Sequence, residues 1–193
     1  MTPTREPSRE RVFVGVGASL GDRLAQTGFA AEALAALPGL RLLAGSRLYD
    51  TAPWGGVAIR RFLNGALMLE AGPNWGPESL LEALLEIEVR AGRTRNIRWE
   101  DRVLDLDLLL WGERTACSPG LTLPHPRLHE RSFVLRPLCD LAPELRHPAI
   151  GHSLRELLAG LRAAPGDCVA LAPEVHPAAW PAPPLPAPTR NER

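Results

Sequence analysis

Apolar runs and polar breaks alternate along the chain in an order that predicts a small mixed fold. "RVFVGVGAS" reads as an apolar strand over roughly 11–17, closed by glycine-containing punctuation. Asp22 is placed to cap a helix running to about Leu37, with Leu24, Ala31, Leu34 and Leu37 near one face and Pro38-Gly39 as its stop. "LRLLAGSRLY" predicts a second strand, "DTAPWGGVAIR" a loop, and "FLNGALMLEA" a third strand. "GPESLLEALLEIEVRAGR" is the clearest helix, with Leu80, Leu84 and Ile87 on one stripe and Gly92 at its end. "RVLDLDLLLWG" completes the series as a fourth strand.

Strand, helix, strand, strand, helix, strand is the order of two βαβ halves, which predicts an α+β ferredoxin-like βαββαβ sandwich. Both helices then cover one face of an antiparallel sheet, and the other face is left for loops, a ligand and the remaining chain. That remainder, "LTLPHPRLHERSFVLRPLCDLAPEL" and "HSLRELLAGL", predicts additional C-terminal elements, with a short helix in each. Residues 1–10 read as a flexible leader, and 11–165 as one domain. Residues 171–193, which hold seven of the twenty prolines, read as a disordered tail.

Composition narrows the partners. The 193 residues are 45% hydrophobic and 23% charged with zero net charge, a soluble globular balance with no field to draw in nucleic acid or an anionic membrane. The polar start "MTPTREPSRE" lacks the apolar core of a secretory signal, and no run is long and apolar enough to span a bilayer, so a cytoplasmic location is expected; a monomer is the expected state. Cys117, Cys139 and Cys168 stand far apart, without metal-knuckle spacing. All 22 basic residues are arginine, which excludes a P-loop lysine and Schiff-base chemistry.

The fourth strand carries the chemistry. Side chains alternate along a strand, so Asp105 and Asp107 share one face while Leu104, Leu106 and Leu108 fill the other. Two adjacent carboxylates withdrawn from water repel each other, and a cation is needed between them: a divalent metal or an arginine. Just upstream, "RAGRTRNIRWEDR" supplies Arg90, Arg93, Arg95, Arg98 and Arg102 on a long polar connection. Oxygen ligands for a hard ion beside guanidinium forks for phosphate point to Mg²⁺ and phosphoryl chemistry. A nuclease or nucleotidyltransferase using the same Asp-x-Asp pair is the alternative, and a non-catalytic ligand-sensing module a third.

Five ordered motifs over roughly 12–160 carry a resemblance: "VGVGASLGDR", "SRLYDTAPWG", "FLNGALMLE", "RTRNIRWEDRVLDLDLLLWG" and "LTLPHPRLHERSFVLRPLCDLAPEL". Together they resemble the 6-hydroxymethyl-7,8-dihydropterin pyrophosphokinase family of folate biosynthesis, which moves a diphosphate from ATP to a pterin alcohol. The resemblance implies that Asp105 and Asp107 hold two Mg²⁺ ions, with Arg95 and Arg102 gripping phosphates from the loop and its strand junction. It places Arg93, Trp99, Leu108, Thr122, His125 and Arg131 at ATP. Phe62 and Phe133 sandwich the pterin ring, and Asn64 with Thr51, Ala52 and Trp54 reads its edge. Glu88 falls where the family usually keeps an acid.

This chain departs from the family pattern at Glu100 and Asp101, where small residues are usual, at Phe62, often Tyr, at Ala52, often Pro, and at Gly120, an arginine in some members. Duller readings stand beside the roles. Without the resemblance, Phe62 and Phe133 read as core. His125 and His129 have the spacing of a zinc pair but lack a third ligand, and His147, His152 and His176 read as surface.

Overall fold

The computed structural model describes residues 9–53, 59–92, 101–162, 167–172 and 175–184. Its elements run β1 (Glu10–Ala18), α1 (Arg23–Ala35), β2 (Leu40–Gly45), β3 (Tyr49–Thr51), β4 (Phe62–Ala71), α2 (Pro77–Arg90) and β5 (Asp105–Trp111). A hairpin of β6 (Ala116–Ser118) and β7 (Leu121–Leu123) follows, then α3 (Ser132–Leu141), α4 (Leu154–Gly160) and β8 (Cys168–Ala170). The main sheet is antiparallel in the order β5-β1-β4-β3-β8, with β2 beside β4 and in line with β3. Each βαβ half thus gives one central and one outer strand, the ferredoxin-like arrangement. Among the described residues no helix is long and apolar enough to cross a membrane.

The helices begin and end where local chemistry dictates. Asp22 caps α1 by accepting the Ala25 N–H at 3.0 Å, and Gly39, at φ +82°, turns the chain into β2. Pro77 opens α2, and Gly92, at φ +90°, follows its end. Both helices lie on one face, where Leu34, Leu80, Leu84 and Ile87 meet Val12, Val14, Val16, Leu106 and Leu108. The opposite face packs Phe13, Ala66, Leu109 and Leu110 against Leu135 and Leu138 of α3 and Leu154 of α4. A bulge between Phe13 and Val14 shifts the pairing of β1 with β5, which lets Leu109 and Leu110 both join this second core. The far end of the face, where β1, β4 and β5 carry Gly17, Asn64 and Asp105, stays open.

Two expectations about the strands change. The strand expected over 40–49 is broken at Ser46–Leu48, because the Ser46 hydroxyl takes the Ala66 N–H at 2.9 Å and donates to the Arg47 carbonyl, local bonding that competes with the ladder. Pairing then resumes in β3, so Asp50 and Thr51, expected in a loop, are strand residues.

The expected disordered tail does not hold over 175–184: Trp180 is only 5% exposed, and its indole N–H donates to the Ser46 carbonyl at 2.7 Å. Burying an indole gains roughly 4–5 kcal/mol before ordering costs, and flanking prolines have little backbone freedom to lose. His147 is likewise buried rather than at the surface, its Nδ1 accepting from the Ala149 and Ile150 N–H groups.

Candidate active site

The open end of the sheet is hollow because β1 has no side chains there. Gly15 and Gly17 face Asp107 and Asp105 across the ladder. A Cβ on Gly17 would come within 2.8 Å of the Asn64 Oδ1, and one on Gly15 within 3.3 Å of Leu109. These two glycines therefore form the floor of a cavity of about 290 Å³. Thr51, Ala52, Phe62, Asn64 and Phe133 line it together with Arg102, Asp105, Asp107, His125, Arg127 and Arg131.

The carboxylate pair is held by backbone as well as by side chains. β5 is an edge strand, and its outward N–H at Leu106, between the two aspartates, donates to Oε1 of the buried Glu88 on α2 at 2.7 Å. At the entrance to β5, Ser19 and Leu20 donate their N–H groups to the Arg102 carbonyl at 2.8 and 3.1 Å, and the Ser19 hydroxyl accepts the Arg102 N–H at 2.8 Å. The Arg102 guanidinium, so positioned, bonds the Asp105 carboxylate. An arginine, one of the two cations the sequence offers, thus touches one of the acids.

That arginine does not satisfy the pair. Burial, followed by repulsion from Asp105, pushes Asp107 up to about 7, against the opposing pull of Arg131 and Arg102. Asp107 therefore either keeps a proton or, to ionise fully at neutral pH, takes a further positive charge beside it. Two oxygen donors on one sheet face suit Mg²⁺, which takes one or two protein carboxylates and fills its other positions with water and phosphate oxygens.

Around the pair, burial lowers the Arg131 pKa, yet a guanidinium remains charged at neutral pH. Its carbon lies 5.6 Å from the Phe133 ring centroid. Burial and the Arg131 charge pull His125 down to about 4, so it is neutral at pH 7. Its Nδ1 accepts the Arg127 N–H at 3.3 Å, which assigns the ring proton to Nε2 and makes the imidazole a neutral donor. At the aromatic end, the Asn64 Nδ2 donates to the Thr51 hydroxyl at 2.7 Å, fixing the amide with Oδ1 over Gly17.

The model of the 7,8-dihydro-6-hydroxymethylpterin-pyrophosphokinase family matches residues 13–143, which include every described residue that lines this hollow. The chain belongs to that family. A Pseudomonas aeruginosa relative named 2-amino-4-hydroxy-6-hydroxymethyldihydropteridine pyrophosphokinase is 45% identical over 150 residues, 78% of this chain and 91% of its own. Relatives of the same name from Methylorubrum extorquens and Mycobacterium tuberculosis are 41% and 39% identical over 151 and 172 residues. They cover 78% and 83% of this chain, and 93% and 89% of their own.

Among solved structures, the wild-type Plasmodium falciparum HPPK-DHPS with pterin and p-hydroxybenzoate aligns at TM-score 0.63 and 14% identity, over 81% of this chain and 44% of that one. A second structure of the wild-type protein aligns at 0.61 and 14%, over 81% and 45%. This chain spans under half the length of those chains, and the likeness supports the fold.

Of the residues the pyrophosphokinase resemblance singled out, the structure brings ten to the hollow: Arg102, Asp105, Asp107, His125, Arg131, Thr51, Ala52, Phe62, Asn64 and Phe133. Two are elsewhere. Leu108 points into the helix-side core, as strand alternation next to Asp107 requires, and Thr122 is exposed on β7. Arg93, Arg95, Trp99 and Trp54 lie outside the described residues. Sequence reasoning missed the Gly15-x-Gly17 floor, whose signal was glycine recurring at alternate positions of an apolar strand, and Arg127, which no periodicity marks.

Proposed function

We propose that this chain transfers a diphosphate from ATP to the hydroxymethyl group of 6-hydroxymethyl-7,8-dihydropterin, releasing AMP, with the triphosphate at the Asp105/Asp107 end of the hollow and the pterin at its aromatic end. The supporting observation is the joining, in one cavity, of a carboxylate pair ringed by arginines to two phenylalanines and a fixed amide. Asp105 and Asp107 would hold Mg²⁺, which, when bound, neutralises and orients the phosphates. Arg102, Arg127 and Arg131 offer guanidinium donors to phosphate oxygens, and Arg131 stays near Asp107 as charge moves toward the leaving group. His125 donates from Nε2 without adding a charge.

Asn64, held by Thr51, presents Oδ1 as an acceptor for the N–H edge of the pterin, and Phe62 and Phe133 take its faces, each stacking contact worth roughly 0.5–1.5 kcal/mol. With no covalent intermediate required, acceleration comes from holding the alcohol in line with the β-phosphorus. Three unpaired thiols, Cys117, Cys139 and Cys168, suit a reducing cytoplasm.

Incubation with Mg-ATP and hydroxymethyl-dihydropterin yields AMP and the pterin diphosphate in equal amounts, and chelation of the metal stops both until Mg²⁺ is restored. Formation of ADP, or cleavage of added nucleic acid, would point to the rival phosphoryl chemistries. Asn64→Ala raises the KM for the pterin by about 10–100-fold, the cost of leaving a recognised N–H unpaired, with the KM for ATP nearly constant. Steady-state titration of each substrate checks this, and equal changes in both would remove Asn64 from the pterin end.

A further inference from the structure

β3 is three residues long, yet it carries Thr51, whose hydroxyl fixes the Asn64 amide at 2.7 Å. One edge of β3 pairs with β4. The other is closed by the C-terminal part of the chain, with Tyr49, Asp50 and Thr51 opposite Ala170, Val169 and Cys168 of β8. Next to Thr51, the Ala52 N–H donates to the Asp167 carbonyl at 2.9 Å. So short an edge strand holds little by itself and needs an anchor.

The anchor is Trp180. The break between β2 and β3 turns backbone groups away from β4, and buried backbone groups need partners. The C-terminal segment supplies them: the Ser46 carbonyl accepts the Trp180 indole N–H at 2.7 Å, the Leu48 carbonyl accepts the Leu171 N–H at 2.7 Å, and the Leu48 N–H donates to His176 Nε2 at 3.3 Å. The indole fits because Gly45 and Gly65 beneath it have no side chains. A Cβ on either would come within 2.7 Å of the ring. Pro177 packs on Gly28 of α1, where a Cβ would lie 3.0 Å away, so the segment bridges helix and sheet edge.

We propose that residues 167–172 and 175–184 form a built-in brace that sets the position of β3 and, through Thr51 and Ala52, the shape of the pterin end, with Trp180 as a positioning residue. This rests on the assignment of Thr51 and Asn64 to the pterin. Other contacts hold earlier parts of β3: the Tyr49 hydroxyl donates to Asp140 of α3 at 2.8 Å, and Arg23 and Arg61 bond Asp50. At Thr51 and Ala52, the outer edge is held by β8 and the Asp167 carbonyl.

The test uses full-length Trp180→Ala, Trp180→Phe and Asn64→Ala, with KM for each substrate and amide exchange as readouts. Trp180→Ala is expected to raise the pterin KM by about 5–20-fold while the ATP KM stays within about twofold, and to speed exchange at Ala52, with Trp180→Phe recovering part of both. If Trp180→Ala does not accumulate as folded protein, His176→Ala, which removes the acceptor for the Leu48 N–H, serves in its place with the same expected direction. A pterin KM unchanged in Trp180→Ala while Asn64→Ala raises it, or an equal rise in both substrates' KM, overturns the brace. An unchanged pterin KM in Asn64→Ala overturns the assignment of the pterin end, and the brace's role with it.

Discussion

Asp107→Asn is expected to lower turnover by roughly 10³-fold and, at pH 8, to raise the melting temperature of the ligand-free protein. The first effect follows from exchanging an anionic oxygen donor for a neutral amide at the centre of the proposed phosphate site. The second follows from the environment that raises the Asp107 pKa to about 7, burial first and Asp105 second. In the unfolded chain the carboxyl ionises near its ordinary value of about 3.9. Between these values folding takes up a proton, so the folded state loses stability as pH rises from about 4 to 7 and carries the full penalty above that. Linkage sets a ceiling on the order of 4 kcal/mol at pH 8, and Asn never carries the charge.

A gain of several degrees at pH 8, shrinking toward pH 5, is therefore expected in calorimetric melts of the two proteins. If Asp107 takes the proposed metal, the same balance makes Mg-ATP binding at pH 7 release about half a proton, measurable as a buffer-dependent binding enthalpy. A variant that is less stable than wild type at pH 8, or that keeps more than a tenth of its turnover, would remove Asp107 from the role assigned to it.

Much of the fold could be read from the sequence because its elements have strong periods. β4 has the boundaries expected of "FLNGALMLEA", and α2 differs from expectation only at its ends, as its stripe of Leu80, Leu84 and Ile87 is strictly helical. The aspartate pair could be read for the same reason, since alternation puts Asp105 and Asp107 on one face without reference to anything distant. The misreadings come from contacts that alternation cannot express. The break at Ser46 depends on a hydroxyl reaching Ala66 in another strand, and the order of the C-terminal segment depends on one indole fitting over two glycines from different strands.

Leu108 shows the converse. The strand period already placed it opposite the aspartates, and only the family resemblance set it at ATP, where its side chain does not line the hollow. Arg127 sits two residues from His125 in a connection without period between β7 and α3, so only the assembled structure brings the two of them to the acids.

Arg131→Gln is expected to reduce kcat/KM for ATP by about 10²–10³-fold and to move the acid limb of its pH profile upward by about one pH unit. Two consequences of one charge are at issue. Arg131 is among the guanidinium groups lining the proposed phosphate end, and its loss would remove a charge-assisted donor from a site where water competes poorly. It is also the strongest of the cations that hold the Asp107 pKa down. Without it Asp107 keeps its proton to higher pH, and the ionised form to which the proposed Mg²⁺ would bind appears later in the titration. Because kcat/KM reports the free enzyme, the limb that reflects Asp107 should move to higher pH, opposite to the direction expected if an acid's cationic partner were strengthened.

Arg131→Lys separates the two roles. An ammonium restores the charge but not the planar fork or the contact with Phe133, so the limb returns most of the way while the rate recovers only in part. Profiles of all three proteins between pH 5 and 9 would decide the matter. A limb that stays in place in Arg131→Gln would mean that Arg131 does not govern Asp107, and complete recovery of rate by lysine would mean that the fork has no part in holding phosphate.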